Sequence, residues 1–85
     1  MMNIQFHSSF RKAFQKQSKQ VQDAFEMRIE LFMQDPYHSV LRNHAVGRAY
    51  PGCRSVNVTG DVRALYRVRE GAVIFVLIGT HAQLY

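Results

Sequence analysis

The sequence has one cysteine, two prolines and no tryptophan in 85 residues. A lone cysteine excludes an internal disulfide framework and is typical of a reducing compartment, so we expect a cytoplasmic protein in which Cys53 is a small buried residue. No apolar run approaches the ~18 residues of a membrane span. Polar residues at positions 3, 5 and 7 interrupt any signal-peptide pattern. We therefore expect one domain, residues 1–85, without a membrane segment.

Acidic residues are also scarce. Six Asp and Glu stand against eleven Lys and Arg, which gives a formal net charge of +5. From residue 42 to residue 69 the chain carries six arginines and one carboxylate, Asp61. Such an imbalance predicts a polyanionic or acidic partner, nucleic acid included, although a solvated basic surface is the simpler alternative.

The first half of the chain has the patterns of a short strand and two helices. Residues 2–6 alternate in polarity and predict a strand. Ser8 or Ser9 is suited to cap a first helix, and the polar stretch 15–20 predicts a break after it. Beyond the break, apolar residues recur at helical spacing and predict a second helix that ends before Pro36, with Asp35 capping a further turn: Val21, Phe25, Ile29 and Phe32.

After Gly47 the apolar residues follow a period of two, which predicts strands. Residues 59–61 and Glu70-Gly71 provide tight connections, and the last strand, 72–78, is apolar on both faces and should lie inside the sheet. The order strand, helix, helix and three strands predicts an α+β fold. In it, two helices pack on one face of a small, mostly antiparallel sheet.

A three-residue loop at 59–61 would set the register of the strands on either side. Asn57 would lie opposite Arg63, Ser55 opposite Leu65, and Cys53 opposite Arg67. One face would then pack on the helices: Val56, Val58, Val62, Ala64, Tyr66 and Val68. The other face would be polar and basic, with Ser55, Asn57, Arg63 and Arg67 exposed.

Two histidines stand at the ends of predicted elements, where functional groups are often displayed, although loop histidines are commonly incidental. His44 and His81 accompany Asp61 in an arginine-rich chain that lacks the Gly-x-Ser-x-Gly motif of a serine nucleophile. RNA cleavage suits this set, because the ribose 2′-OH attacks the phosphate while side chains only transfer protons and stabilise charge. A metal site built from His44, Asp61 and His81 is an alternative that lacks compact ligand spacing, so we expect no metal.

Several stretches together resemble the RelE/ParE toxin superfamily, and within it the YafQ type of mRNA interferase: Asp35-Pro36, LRNHAVG, GCRSVNVTGDVRALYRV and IGTHAQLY. The resemblance covers nearly the whole chain and implies a RelE-like β-α-α-β-β-β domain. It also implies the toxin of a type II toxin–antitoxin system, an endoribonuclease that cleaves translated mRNA in the ribosomal A site without a cofactor. The implied partners are a cognate antitoxin, in a hetero-oligomer, and the ribosome with its mRNA.

The resemblance also assigns site residues. The implied catalytic positions are His44, Asp61, His81, Tyr85 and Arg63, with the two histidines sharing the base and acid roles in an order that the sequence leaves open. We expect Asn57, Arg48, Arg54 and Arg67 to bind RNA. YafQ-like toxins can carry a histidine where this chain has Asn57, and an amide cannot act as a base.

Two other functions remain compatible with the sequence. A ParE-like toxin would inhibit DNA gyrase, but such relatives lack a histidine-rich site. A non-catalytic basic binding module, for example a decayed toxin, would bind an acidic partner without toxicity, and Asn57 favours this alternative.

Overall fold

The computed structural model describes residues 2–85 as three helices and five strands. The strands are β1 (Asn3–Phe6), β2 (His44–Ala45), β3 (Arg54–Asn57), β4 (Val62–Arg69) and β5 (Ala72–Thr80). The helices are α1 (Ser8–Gln15), α2 (Lys19–Gln34) and α3 (His81–Leu84), and a 3₁₀ turn spans Ser39–Leu41. No helix within residues 2–85 combines the length and apolarity needed to cross a bilayer.

The five strands form one sheet in the order β1-β5-β4-β3-β2. β1 runs parallel to β5 and every other neighbouring pair is antiparallel. The α+β prediction is confirmed, and β5 lies inside the sheet as its two apolar faces predicted. β2 and α3 were not predicted, because a two-residue strand forms only through its partner and a four-residue helix only through its cap.

The predicted cap of α1 is wrong. The cap is His7, whose Nδ1 accepts a hydrogen bond from the Ser9 backbone N–H at 3.1 Å. Ser9 is not free to cap, because its hydroxyl donates to the Val76 carbonyl of β5 at 2.6 Å. The predicted break between the helices is confirmed, since α2 begins only after Ser18, whose hydroxyl accepts from the Val21 N–H.

An aromatic core joins both helices to the sheet. Phe25 and Phe32 of α2 are buried, as the helical stripe predicted. The Phe25 ring lies 5.1 Å from Phe10 of α1 and 5.5 Å from Phe75 of β5, measured between centroids. Phe75 is fully buried and touches rings from both helices, so this cluster fixes the position of β5 against the helical layer.

The predicted hairpin register is confirmed. Asn57 lies opposite Arg63 and Ser55 opposite Leu65, and the Val58 N–H donates to the Val62 carbonyl at 2.8 Å. The next hairpin turns on two residues, with φ of 51° at Glu70 and 78° at Gly71. Two positive φ angles in succession match the twist of the flanking strands.

The predicted exposure of the second sheet face is only partly right. Ser55 and Leu65, which point to that face, are 1% and 0% exposed. The connection between β2 and β3, residues 46–53, lies over this face, where the Tyr50 hydroxyl reaches the Leu84 carbonyl of α3. The prediction that Val68 packs in the core is also wrong, since its side chain is 64% exposed. Val68 lies near the end of β4, outside the packed cluster beneath the helices.

Candidate active-site cleft

An open cleft of about 370 Å³ lies on the second face of the sheet, between β2, β4, the 46–53 connection and α3. Its charged and polar walls are His44, Arg48, Arg63, His81 and Tyr85. Four of the five residues predicted to be catalytic thus meet in one place, although they come from three separate parts of the chain. Ser55 and the small residues Ala45, Val46 and Ala49 complete the lining.

His44 lies in β2, directly across the ladder from Ser55. Its Nδ1 lies 2.8 Å from the carbonyl oxygen of Arg42, which has a left-handed backbone with φ of 47°. A carbonyl oxygen only accepts hydrogen bonds, so Nδ1 carries the proton and donates it. Nε2 of neutral His44 therefore keeps its lone pair, which is the arrangement of a general base.

A partly buried hydrogen-bond network holds the segment that leads into His44. The Asn43 amide nitrogen donates to the Pro36 carbonyl at 2.9 Å and to the Tyr66 hydroxyl at 2.7 Å, and the Asn43 amide oxygen accepts from Arg54 Nε at 2.7 Å. The Arg54 guanidinium also lies over the Tyr37 ring, 5.4 Å from its centroid. Arg54 is thus engaged within the protein and does not line the cleft.

α3 is held at both ends. Thr80 caps it, and the Gln83 side chain accepts in return from the Thr80 N–H at 2.8 Å. The His81 N–H donates to the Asp61 carbonyl at 3.1 Å, which ties the helix start to the β3–β4 turn. At the other end the Tyr50 hydroxyl donates to the Leu84 carbonyl. Three separate segments therefore fix the position of His81.

Gly79 precedes this cap and packs closely against it. A Cβ at position 79 would lie 3.0 Å from Gln83 Oε1 and 3.4 Å from Gln83 Cβ. Any larger residue would push the Gln83 side chain away from the Thr80 N–H that it caps. The Gly-Thr-His sequence is thus explained by the turn from β5 into α3.

His81 and Tyr85 stack one helical turn apart, with 4.8 Å between ring centroids, and the edge of Tyr50 packs on Tyr85 at 5.7 Å. Partial burial raises the pKa of the Tyr85 phenol, nearby Tyr50 acts in the same direction, and the Arg63 charge opposes them. The ring is therefore neutral at physiological pH. Arg63 Nη1 also donates to the Thr59 and Gly60 carbonyls, each at 3.3 Å.

The remaining predicted site residues lie outside the cleft lining. Asp61 lies in the β3–β4 turn, where its carbonyl contacts α3 and its carboxylate is exposed. Asn57 faces Arg63 across the ladder, and Arg67 lines a separate depression. Within residues 2–85 no three His, Cys, Asp or Glu side chains are grouped to hold a metal ion, so His44, Asp61 and His81 do not form a shared site.

Sequence reasoning missed four residues that shape the site. The Ser55 hydroxyl is buried in the cleft floor without a hydrogen-bond partner among residues 2–85. Asn43 and Tyr50 act through contacts distant in sequence, for which no local pattern exists. Gln83 did leave a signal, because Thr80-x-x-Gln83 is a capping-box pattern.

The chain resembles several solved toxins along its whole length. It is 20% identical to YafQ from E. coli BL21(DE3), covering 100% of this chain and 99% of that one with a TM-score of 0.82. It is 19% identical to a chain of the E. coli DinJ-YafQ toxin–antitoxin complex, covering 99% of this chain and 97% of that one with a TM-score of 0.79. A metal-bound toxin from Helicobacter pylori is 16% identical, covering 100% of both chains with a TM-score of 0.74.

No curated protein gives a significant sequence match to this chain. The family described as the bacterial toxin of the type II toxin–antitoxin system, YafQ, matches residues 2–85. That match spans β1 to α3 and includes every residue that lines the cleft. The chain therefore belongs to the YafQ family of bacterial type II toxin–antitoxin toxins.

Proposed function

We propose that this toxin is an endoribonuclease that cleaves translated mRNA in the ribosomal A site. The observation that carries the proposal is the meeting of His44, His81, Arg63 and Tyr85 in one open cleft. These side chains supply two proton-transfer groups, a fixed cation and an aromatic ring. Cleavage of RNA by its own 2′-OH needs these groups and no protein nucleophile.

In the proposed reaction His44 is the general base. Its Nδ1–H is held by the Arg42 carbonyl, so Nε2 can take the proton of the ribose 2′-OH. The 2′-oxygen bonds to phosphorus, the bond from phosphorus to the 5′-oxygen breaks, and His81 donates a proton to that leaving oxygen. The products are a 2′,3′-cyclic phosphate and a 5′-hydroxyl, and each proton transfer contributes roughly 10²–10⁴-fold.

Other residues would stabilise charge and hold the substrate. The Arg63 guanidinium uses one nitrogen on turn carbonyls and has other donors for the phosphate oxygens. Tyr85, neutral and half-exposed, would stack on an unpaired base. Arg48 would bind a neighbouring phosphate from the cleft wall. Asp61 would position His81 through its backbone carbonyl, which accepts the His81 N–H at 3.1 Å, and Asn57 would hydrogen-bond the RNA beside Arg63.

The partner and the site of action follow from the family. We propose that a cognate antitoxin binds this toxin in a hetero-oligomer, as DinJ binds YafQ in the E. coli complex. The net charge of +5 suits an acidic antitoxin segment, and it also suits the ribosomal RNA that surrounds mRNA in the A site.

Controlled expression in a bacterial host, with growth followed and transcript 5′ ends mapped, tests the proposal. Wild type should arrest growth and create translation-dependent cuts inside coding sequence, while His44→Ala and His81→Ala should do neither. His38→Asn is the matched control, because His38 is an exposed histidine outside the cleft that caps a 3₁₀ turn. Arrest with intact transcripts would favour gyrase inhibition, and absence of arrest would favour a binding module.

A further inference from the structure

A second depression, of about 280 Å³, lies on the same sheet face as the cleft. Its polar side chains come from His7, Ser9, Tyr50 and Arg67, and its apolar lining from Ala49, Pro51, Cys53 and Val76. Ala49 lines both hollows, so the 46–53 connection forms the ridge between them. No carboxylate lines the second depression.

Arg67 is the fixed cation of this depression. Its Nε is buried without a hydrogen-bond partner, and neither terminal nitrogen makes a hydrogen bond within residues 2–85, while the side chain as a whole is partly exposed. The only ion pair within residues 2–85 joins Lys19 to Asp23, so no carboxylate neutralises Arg67. Its stem is therefore held by packing while the two terminal groups stay available to an anion.

His7 adds a second polar group. Its Nδ1 lies 3.1 Å from the Ser9 backbone nitrogen and 2.8 Å from the Ser9 hydroxyl oxygen, so the ring is held through this nitrogen. Nε2 makes no hydrogen bond within residues 2–85, and the imidazole is exposed at the rim. The depression thus combines a guanidinium with an imidazole whose Nε2 can carry a proton and donate it to a phosphate oxygen.

The two hollows are spaced along one strand. Arg63 lines the cleft and Arg67 the second depression, and both point to the same face of β4 with buried Leu65 between them. Four residues of a strand span ~13 Å, about two nucleotides of an extended single strand. A strand held at the cleft would cross the ridge to reach Arg67.

We propose that the depression around Arg67 and His7 is a second phosphate subsite, which binds a backbone phosphate of the RNA about two nucleotides from the cleaved linkage. The inference rests on the proposed function and extends it, because it defines the path of the RNA across the toxin. The subsite contributes to binding of the substrate and takes no part in proton transfer.

The test uses RNA oligonucleotides with the sequence that the toxin cuts in cells. A 2′-deoxy sugar at the cut prevents cleavage. In a series of such oligonucleotides, one linkage at a time is replaced by a neutral methylphosphonate. Dissociation constants are measured at several salt concentrations for wild type, Arg67→Gln and His7→Asn. Arg11→Gln is the control, because it removes one exposed arginine from α1, beside a groove between the two helices. Cleavage of unmodified mRNA on ribosomes gives kcat and KM for each variant.

Arg67→Gln should weaken RNA binding about 5- to 20-fold and lower the salt slope by about 1, while kcat stays unchanged. One methylphosphonate, about two linkages from the cut, should weaken wild-type binding and leave Arg67→Gln unaffected. His7→Asn should show a smaller loss at the same linkage. Inorganic phosphate should compete only weakly, because a single anion lacks the contacts of the chain.

Two results would overturn the inference in different ways. If wild type binds and cleaves RNA but Arg67→Gln behaves as Arg11→Gln does at every linkage, the subsite is wrong and the proposed function stands. If wild type neither binds nor cleaves RNA, the proposed function falls and the subsite falls with it. Strong competition by inorganic phosphate would redefine the depression as a site for a free anion.

Discussion

At the residue scale, the backbone before His44 orients the imidazole of this candidate general base. The left-handed Arg42 turns its carbonyl toward His44, and Asn43 between them is saturated with hydrogen bonds. The sequence predicted His44 as a site residue but not this arrangement, because a left-handed arginine and contacts to Pro36 and Tyr66 have no local signature. Arg54, which the sequence predicted to bind RNA, donates from Nε to the Asn43 amide oxygen, a contact that also has no local signature.

Loss of the Asn43 amide should therefore impair His44 as well as stability. Asn43→Ala leaves Arg54 Nε and the Tyr66 hydroxyl without their partner, so we expect a loss of about 1–3 kcal/mol in the free energy of unfolding. We also expect kcat to fall more than KM rises. Urea unfolding and cleavage kinetics check both, and unchanged kcat in a folded variant would contradict the positioning role.

Removal of the buried Ser55 hydroxyl should increase the stability of the protein, whereas the loss of the Asn43 amide should decrease it. The Ser55 hydroxyl has no hydrogen-bond partner among residues 2–85, so Ser55→Ala removes an unsatisfied polar group and should raise the free energy of unfolding by up to about 1 kcal/mol. Urea denaturation midpoints measure this. A loss of stability would show that the hydroxyl is bonded in the folded protein, for example to a trapped water.

Tyr66 should make the protein less stable in alkali. Burial raises the pKa of its phenol in the folded state, with the Asn43 hydrogen bond acting in the opposite direction. The unfolded chain loses this proton near its ordinary pKa of 10.0 while the folded chain keeps it. The free energy of unfolding should thus decrease as pH rises above about 10.

Tyr66→Phe removes that ionisation and should flatten the decrease. Urea unfolding at several pH values from 8 to 11 measures the slope for both proteins. Tyr37→Phe is the control, because Tyr37 is 66% exposed. A slope that is equal in Tyr66→Phe and wild type would show that Tyr66 is not the group responsible.

At the element scale, the strands and long helices followed from the sequence and the short elements did not. The period-two pattern and the 59–61 turn predicted the β3–β4 register correctly, because a one-residue slip would have inverted both faces. The cover over the second face was not predictable, since the 46–53 connection lies there through long-range contacts such as Tyr50 with Leu84. That cover separates the cleft from the second depression.

The Tyr50 contact should matter more for activity than for folding. Tyr50→Phe keeps the packing on Tyr85 but removes the hydrogen bond to the last turn of α3. We expect a loss of about 1 kcal/mol in the free energy of unfolding and a several-fold drop in kcat, since His81 and Tyr85 lie on that helix. Tyr37→Phe should change neither quantity, and equal kcat for the two variants would contradict the role.

At the scale of the whole molecule, most positive charges in the described part of the chain have no ion-pair partner. Within residues 2–85 the one ion pair is exposed and joins Lys19 to Asp23, whereas the chain has a net charge of +5. Charge repulsion disfavours the compact state, so salt should stabilise the fold slightly. Salt should at the same time weaken RNA binding steeply, because bound RNA releases its counterions.

Measurements of unfolding and of RNA binding between 50 and 500 mM NaCl test this opposition directly. The unfolding midpoint should rise or stay level, whereas the dissociation constant should increase by at least tenfold. A fold that weakens markedly with salt would contradict this expectation and indicate stabilising ion pairs beyond Lys19 with Asp23. RNA binding that is insensitive to salt would contradict recognition through phosphates.

The most direct test of the account is the end chemistry of the reaction. Purified wild-type toxin is mixed with ribosomes translating a defined mRNA, and the cut ends are analysed beside a substrate carrying a 2′-deoxy sugar at the cut. We predict a 2′,3′-cyclic phosphate and a 5′-hydroxyl from wild type, with no cut in the deoxy substrate or with His44→Ala. Cleavage of the deoxy substrate, or 5′-phosphate ends, would contradict 2′-OH attack and the roles given to His44 and His81.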